Sequence, residues 1–232
     1  MSTLQALIFD FDGVIANTEP LHFSGLHQTL KEIGIELTEA EYYADYLGFD
    51  DRNCILAALG THHRPADAAT VERLMKRKAQ AYLESVTRHH VIFPGVPDFV
   101  RNAARTYPLA IASGALRHEI EYILESASLR TAFLHITSAE DVTRGKPDPQ
   151  PFLLALKALQ QHDASLTAGS CLVIEDSLPG VRGAVTAGMK VLAVANTHTV
   201  QDLHEAHAIT HSLSEMSLSD LRTRLWPGSI KG

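Results

Sequence analysis

A chain of 232 residues with 45% hydrophobic and 20% charged side chains has globular composition, which excludes a wholly disordered chain. The length exceeds one small module and falls short of two ordinary domains, so one main domain carrying a sizeable insertion is expected. The formal net charge of −7 disfavours nucleic acid as a partner, because phosphate-backbone binding needs clustered positive charge.

Taken in chain order, Leu4–Phe9 is a short apolar run ending at Asp10, and similar runs recur at Leu109–Ala112, Phe133–Thr137, Cys171–Ile174 and Val191–Val194. Each has the length of a buried parallel strand. Helical patterns lie between them, starting near Val96, over Leu116–Ala127, from Asp148-Pro149 through Leu159, and over Gly180–Gly188. Asp148 is placed as N-cap with Pro149 at the first helical position. The alternation predicts an α/β fold, a doubly wound parallel sheet of Rossmann-like type.

The stretch from Thr18 to about Thr87 breaks that alternation and holds no convincing strand. Phe23, Leu26, Leu30 and Ile33 follow helical spacing, and Gly34 is placed to end that helix. Val71, Leu74, Met75 and Tyr82 make a second apolar stripe. The expected division is a core of residues 1–16 and 93–232 interrupted by a helical domain over 17–92. Cys54 and Cys171 are too few for a disulfide framework and agree with a reducing compartment. No apolar run approaches the roughly 18 residues of a membrane span, and the N-terminal run breaks at Asp10 before a secretory segment forms. A cytoplasmic, monomeric protein without a membrane partner is the expectation.

Chemistry concentrates where the strand runs end. Asp10 and Asp12, two apart, would point to one side of an extended chain, roughly 7 Å from each other. They lie at the carboxyl end of the first strand, where open α/β sheets bind ligands. A carboxylate there could attack an electrophile or hold a hard cation, although Asp12-Gly13 taken alone also reads as a turn. Ser113-Gly114 ends the second strand with a hydroxyl and an uncluttered backbone suited to phosphate oxygens. Lys146 stands in a loop before a helix, suited to neutralising charge. Glu175 and Asp176 end the fourth run, and both reach one site only if the strand stops there.

These residues resemble the haloacid dehalogenase-like (HAD) superfamily over essentially the whole chain. The likeness runs from Asp10-Phe11-Asp12-Gly13-Val14 to His22, through Ala112-Ser113-Gly114-Ala115 and Lys146-Pro147-Asp148, to Glu175-Asp176-Ser177-Leu178-Pro179-Gly180. It is closest in pattern to the branch of small phosphatases and β-phosphoglucomutases with a helical cap between the first two motifs. The resemblance implies Asp10 as the nucleophile forming an aspartyl-phosphate, and Asp12 as general acid and then base. It implies Ser113 and Lys146 as holders of the phosphoryl group. Mg²⁺ would be bound by Asp10, Asp176, the backbone carbonyl of Asp12 and Glu175. Asp12 would spend part of the cycle protonated, so its pKa should be raised. Dehalogenation is disfavoured, since that chemistry requires no metal-binding carboxylate set.

For the inserted segment, the resemblance points to His22 as a hinge histidine and to Arg52 as a cleft-facing arginine, with one extra loop residue before it. Lys78 interrupts the apolar stripe of Leu74, Met75 and Tyr82, so it either snorkels or faces a cleft. Arg117, three after Gly114, could reach a phosphate or be a solvated first-turn residue. Near Gly48 the mutase pattern has a lysine just before the glycine, whereas Tyr46-Leu47 stand here; Gly114-Ala115-Leu116-Arg117 is also less polar than its mutase counterpart. Both departures favour phosphatase over mutase. Other signals fail. His204, His207 and His211 could share a helical face but lack the zinc-motif spacing, His62-His63 and His89-His90 read as solvated, and no Walker loop or G-x-S-x-G elbow is present. The expected function is a Mg²⁺-dependent phosphatase acting on a small phosphorylated metabolite such as a sugar phosphate. A β-phosphoglucomutase-type phosphomutase is the alternative, and a catalytically silent binding protein a third reading.

Overall fold

Ala6-Leu7-Ile8-Phe9 carries no polar side chain and is buried throughout as β1 (Ala6–Phe9). A strand apolar on both faces must be covered on both, and β1 lies at the middle of a sheet. It pairs in parallel with β2 (Leu109–Ala112) on one side and β4 (Cys171–Glu175) on the other. β3 (His135–Thr137) continues beyond β2, and β5 (Lys190–Val194) and β6 (Ala208–Thr210) continue beyond β4. The order β3-β2-β1-β4-β5-β6, parallel throughout, is the doubly wound arrangement, with its direction of winding reversed between β1 and β4. The computed structural model describes residues 3–46, 49–86 and 91–227. Leu47-Gly48 and His89-His90 therefore lie outside the described residues.

Two units emerge, Met1–Asn17 with Ile92–Gly232, and Thr18–Val91. Within the first, Ala16 and Ile92 form an isolated antiparallel bridge, and Phe93 N donates to Ile15 O at 3.0 Å.

The second unit contains α1 (Glu19–Lys31), a single turn α2 (Glu39–Glu41) running into a π-helical turn at Tyr42–Tyr46, α3 (Asp51–Thr61) and α4 (Ala68–Val86). None of its described residues is in a strand. Gly34, with φ of +76°, turns the chain after α1, a backbone shape that favours glycine. Thr38 and Glu41 form a capping box at α2, and the Asp50 carboxylate accepts from Asn53 N at 2.7 Å to start α3. Leu26, Leu30, Ile55, Leu59, Val71 and Leu74 are buried together, with Phe23, Ile33 and Met75 at the margin. The unit thus has a hydrophobic core of its own.

In the first unit the sheet is flanked by α5 (Val96–Ala104), α6 (Arg117–Ser126), α7 (Gln150–Leu159), α8 (Leu178–Thr186) and α9 (Leu218–Leu225). Alternation along the strands divides their side chains between two faces. Ala6, Ile8, Val173 and Val191 pack with Phe152, Leu159 and Val181. Phe9 meets Phe99 and Phe133 edge-on, with ring centres 6.2 and 5.6 Å away.

Two local expectations change. α7 begins at Gln150, with Pro149 in the cap position, while the Asp148 carboxylate accepts from Gln150 N at 2.9 Å. The segment holding His204 and His207 forms turns that lead into β6, so these histidines and His211 share no helical face. Among the described residues no helix is long and apolar enough to cross a membrane.

Candidate active site

The candidate residues gather at the carboxyl ends of β1 and β4, where the winding reverses. Asp10 N donates to Ile174 O at 2.9 Å, which places Asp10 beside the end of β4 just before Glu175 and Asp176. The chain then turns at once, with Phe11 O accepting from Ile15 N at 2.8 Å and Ala16 N at 3.0 Å. Asp10 is buried, whereas Asp12 sits half-buried in the turn. Gly13 has φ of +75°, and a Cβ there would fall 1.9 Å from Asp176 Oδ2. Only glycine allows this turn to close onto the carboxylate.

Lys146 enters from the loop before α7. Its ammonium lies 2.7 Å from Asp10 Oδ1 and 2.5 Å from Glu175 Oε1, and sits over the Phe152 ring, 5.3 Å from its centre. The approach to Asp10 is off the direction of a hydrogen bond, leaving buried Oδ1 without a hydrogen-bond partner. Glu175 is fully buried, and its Oε2 accepts from Asp176 N, Ser177 N and Ser177 Oγ at 2.8, 2.8 and 3.0 Å. Only Oε1, already carrying Lys146, retains a lone pair. Oxygens of Asp10, Glu175 and Asp176 lie within 4.8 Å of one another. A hard divalent cation such as Mg²⁺ takes such donors, so the donor chemistry fits.

The electrostatics express a shortage of positive charge. Burial, then the neighbouring Glu175 and Asp12 carboxylates, push the Asp10 carboxyl up to about 7 against the lowering effect of Lys146. Burial, Glu175 and Asp10 likewise raise Asp176 well above the usual carboxylate range. For Glu175, burial works upward but is outweighed by Lys146 and by hydrogen bonds from Ser177, so its carboxyl is lowered. Burial works against the Lys146 ammonium, yet Asp10 and Glu175 hold its pKa above the ordinary value. Three carboxyl groups around one ammonium make a cluster that a divalent cation would turn from repulsive to attractive.

Ser113 follows β2, is buried, donates its N–H to Thr137 O at 2.9 Å, and accepts from Ala115 N at 3.1 Å. At Gly114 an added Cβ would meet nothing within 4 Å, consistent with an open backbone. Arg117 is committed elsewhere: its guanidinium bonds Ile136 O at 2.9 Å and Asp141 Oδ2 at 2.6 Å. It fastens α6 to β3 and to the turn after it.

In the helical unit, Lys78 is 1% exposed, so it does not snorkel. Its Nζ lies 2.6 Å from Asp51 Oδ1 and 2.6 Å from His22 Nδ1, above the Tyr82 ring. Burial, then the Lys78 charge, push the His22 pKa well below its usual value, so Nδ1 accepts from the ammonium. Arg52 is exposed; its neighbour Asp51, not singled out in the sequence, is the residue that reaches Lys78.

The sequence reading also passes over Asn196 and Thr197, which follow β5. Asn196 Nδ2 donates to Gly13 O at 2.8 Å, and Thr197 Oγ1 donates to Asp176 Oδ2. Their signal is position: polar residues at the carboxyl end of a strand adjoining the one that carries Asp176.

With this geometry in place, comparison with known proteins is specific. The family profile described as haloacid dehalogenase-like hydrolase matches residues 7–194. The chain is 29% identical over 215 residues to protein CbbY of Rhodobacter capsulatus, covering 86% of this chain and 88% of the relative. It is 25% identical over 221 residues to hexitol phosphatase B of Escherichia coli K12, covering 94% and 96%. The crystal structure of β-phosphoglucomutase from Clostridium difficile superposes with a TM-score of 0.80 at 19% identity, covering 96% of this chain and 97% of that one. That last likeness is one of fold.

Proposed function

The chain belongs to the haloacid dehalogenase-like hydrolases, and we propose that within them it is a Mg²⁺-dependent phosphatase of a small phosphorylated metabolite, of sugar-phosphate type. The observation that carries this reading is Asp10: a buried carboxylate at the winding reversal, with Lys146 2.7 Å away and Glu175 and Asp176 beside it. Phosphoryl transfer depends on in-line placement and on neutralising the equatorial oxygens, and this arrangement has groups for both.

In the proposed reaction an oxygen of Asp10 attacks phosphorus, and the bond from phosphorus to the substrate oxygen breaks. Asp12, protonated, gives its proton to that leaving oxygen. The aspartyl-phosphate is then attacked by water, whose proton returns to Asp12 as phosphate and free Asp10 are released. Lys146 and Ser113 hold the phosphoryl oxygens throughout, with the open backbone at Gly114 allowing close approach. Mg²⁺ would be held by Asp10, Asp176 and the Asp12 carbonyl, with Glu175 able to offer only its remaining Oε1 lone pair. Bound there, it supplies the positive charge that lets Asp10 ionise beside its neighbours. His22 and Lys78 would bear on the choice of leaving group through their own polar cluster.

The test is phosphate release from a panel of sugar, glycolyl and nucleoside phosphates, with isomerisation of β-glucose 1-phosphate followed in parallel. Release from at least one monoester, stopped by chelation, is expected. Chelator-insensitive release would overturn the metal assignment, and isomerisation far exceeding release would overturn hydrolysis.

A further inference from the structure

We propose that the loop after β5 is a positioning element of this site, in which Thr197 orients Asp176 toward the metal and Asn196 holds the Asp12–Gly13 turn. This rests on reading Asp176 as a metal ligand. An ionised carboxylate only accepts hydrogen bonds, so toward it the Thr197 hydroxyl is the donor. That bond occupies Oδ2 and fixes the rotation of the carboxylate, leaving Oδ1 to be aimed. Asp176 is confined from the other side as well, because the Gly13 backbone abuts the same Oδ2 so closely that no side chain fits between them.

Asn196 acts on the opposite wall of this sandwich. Its amide donates to Gly13 O at 2.8 Å, one residue beyond the Asp12 carbonyl assigned to the metal. The loop itself is pinned to the sheet, with Ala195 N donating to Thr210 O and Asn196 N to Val194 O, each at 2.9 Å. Neighbouring residues on one loop therefore reach the two segments that deliver Asp12 and Asp176. The two side chains bond to Gly13 and Asp176 respectively, so their proposed effect passes through the residues they hold. Groups that orient metal ligands typically change metal affinity by 10- to 100-fold when removed.

The test is calorimetric titration of Mg²⁺ into full-length wild type, Thr197→Val, Thr197→Ser and Asn196→Ala, with kcat and KM for the best substrate of the panel. Thr197→Val, nearly isosteric but without a hydroxyl, should weaken Mg²⁺ binding about tenfold. Thr197→Ser should restore it to within about threefold, which distinguishes lost orientation from lost folding. Asn196→Ala should lower kcat about tenfold while KM moves less than threefold, the pattern of a displaced acid/base group rather than of lost substrate binding. Wild-type affinity retained in Thr197→Val, or equal weakening in Thr197→Val and Thr197→Ser, would overturn the inference while leaving the phosphatase reading intact. Absence of Mg²⁺ binding by the wild type would overturn both.

Discussion

Two lysines, one in each unit, the first buried and the second half-buried, show how differently the same residue can be used. Lys78 in the helical unit faces one carboxylate, Asp51, and one neutral ring, His22; its charge is balanced and its aliphatic stem fills space between α1 and α4. Gly25 lies beside that stem, where an added Cβ would rest in ordinary contact with Lys78 O and Tyr82 N at 3.4 Å. Lys146 in the sheet-containing unit faces Asp10 and Glu175, with Asp12 and Asp176 adding negative charge nearby. A balanced pair is complete within the protein. A cluster with excess carboxylate is stable only if something cationic joins it or if a carboxyl keeps its proton. The contrast supports the proposal that the second cluster takes up a cation, on grounds independent of any motif.

The largest effect should come from Asp10→Asn, which removes the nucleophile: turnover should fall by more than about a thousandfold. In metal-free protein the same change should raise stability at pH 8, because it removes a buried charge. Denaturant melts and phosphate release measure both, and appreciable residual turnover would end the assignment.

Exchanging each lysine for methionine sharpens the comparison next. Lys146→Met should lower turnover by about 10²- to 10³-fold through lost charge stabilisation. Lys78→Met should act mainly on stability, by about 1–3 kcal/mol, less than a fully buried pair would lose because Asp51 remains 34% exposed. If Lys78→Met silences turnover as fully as Lys146→Met at unchanged stability, the two lysines do not differ in kind.

The two clusters should also respond to pH with opposite sign. Asp10 in the metal-free protein titrates near 7 instead of its ordinary 3.8. Its relative stabilisation is therefore fully present below about 3.8 and is lost as pH rises through 7, by up to about 4 kcal/mol. His22 is held well below 6.5, so its contribution is full above 6.5 and is lost as pH falls, at up to about 1.4 kcal/mol per pH unit. Relative to wild type, Asp10→Asn should gain stability with rising pH, and His22→Asn with falling pH, in melts between pH 5 and 8. The same sign in both would break the contrast. The smallest effect is a displacement: raising Mg²⁺ should move the acidic limb of the activity profile to lower pH, because the cation favours ionised Asp10. A limb insensitive to Mg²⁺ would count against the metal's place beside Asp10.

Much of this was readable along the chain. The strand runs mark β1 to β5, and the polar residues that follow β1, β2 and β4, together with Lys146, name the site because the doubly wound topology brings carboxyl ends together. What escaped was short or non-local. Ala208-Ile209-Thr210 is too brief to rise above its histidine-rich flanks, and α3 has no strong apolar stripe. Asn196 and Thr197 look like any loop until β5 is placed beside β4. The partner of Lys78 could not be read from spacing, because Asp51 comes from another helix, 27 positions earlier in the chain. The acceptors of Arg117, Ile136 and Asp141, were hidden for the same reason, since they belong to a segment beyond α6.

The bridge between Ala16 and Ile92 has a consequence for how such a chain can be assembled. Because the bridge joins the two segments between which the insertion falls, residues 18–91 are an excursion closed at its base. Loop-closure cost grows only with the logarithm of length, so a 74-residue excursion costs about 3 kcal/mol more than a four-residue turn. The helical unit's own core can offset that amount. Replacing residues 18–91 by a short turn should accordingly leave a sheet that still folds, a trunk onto which excursions of other sizes could be grafted.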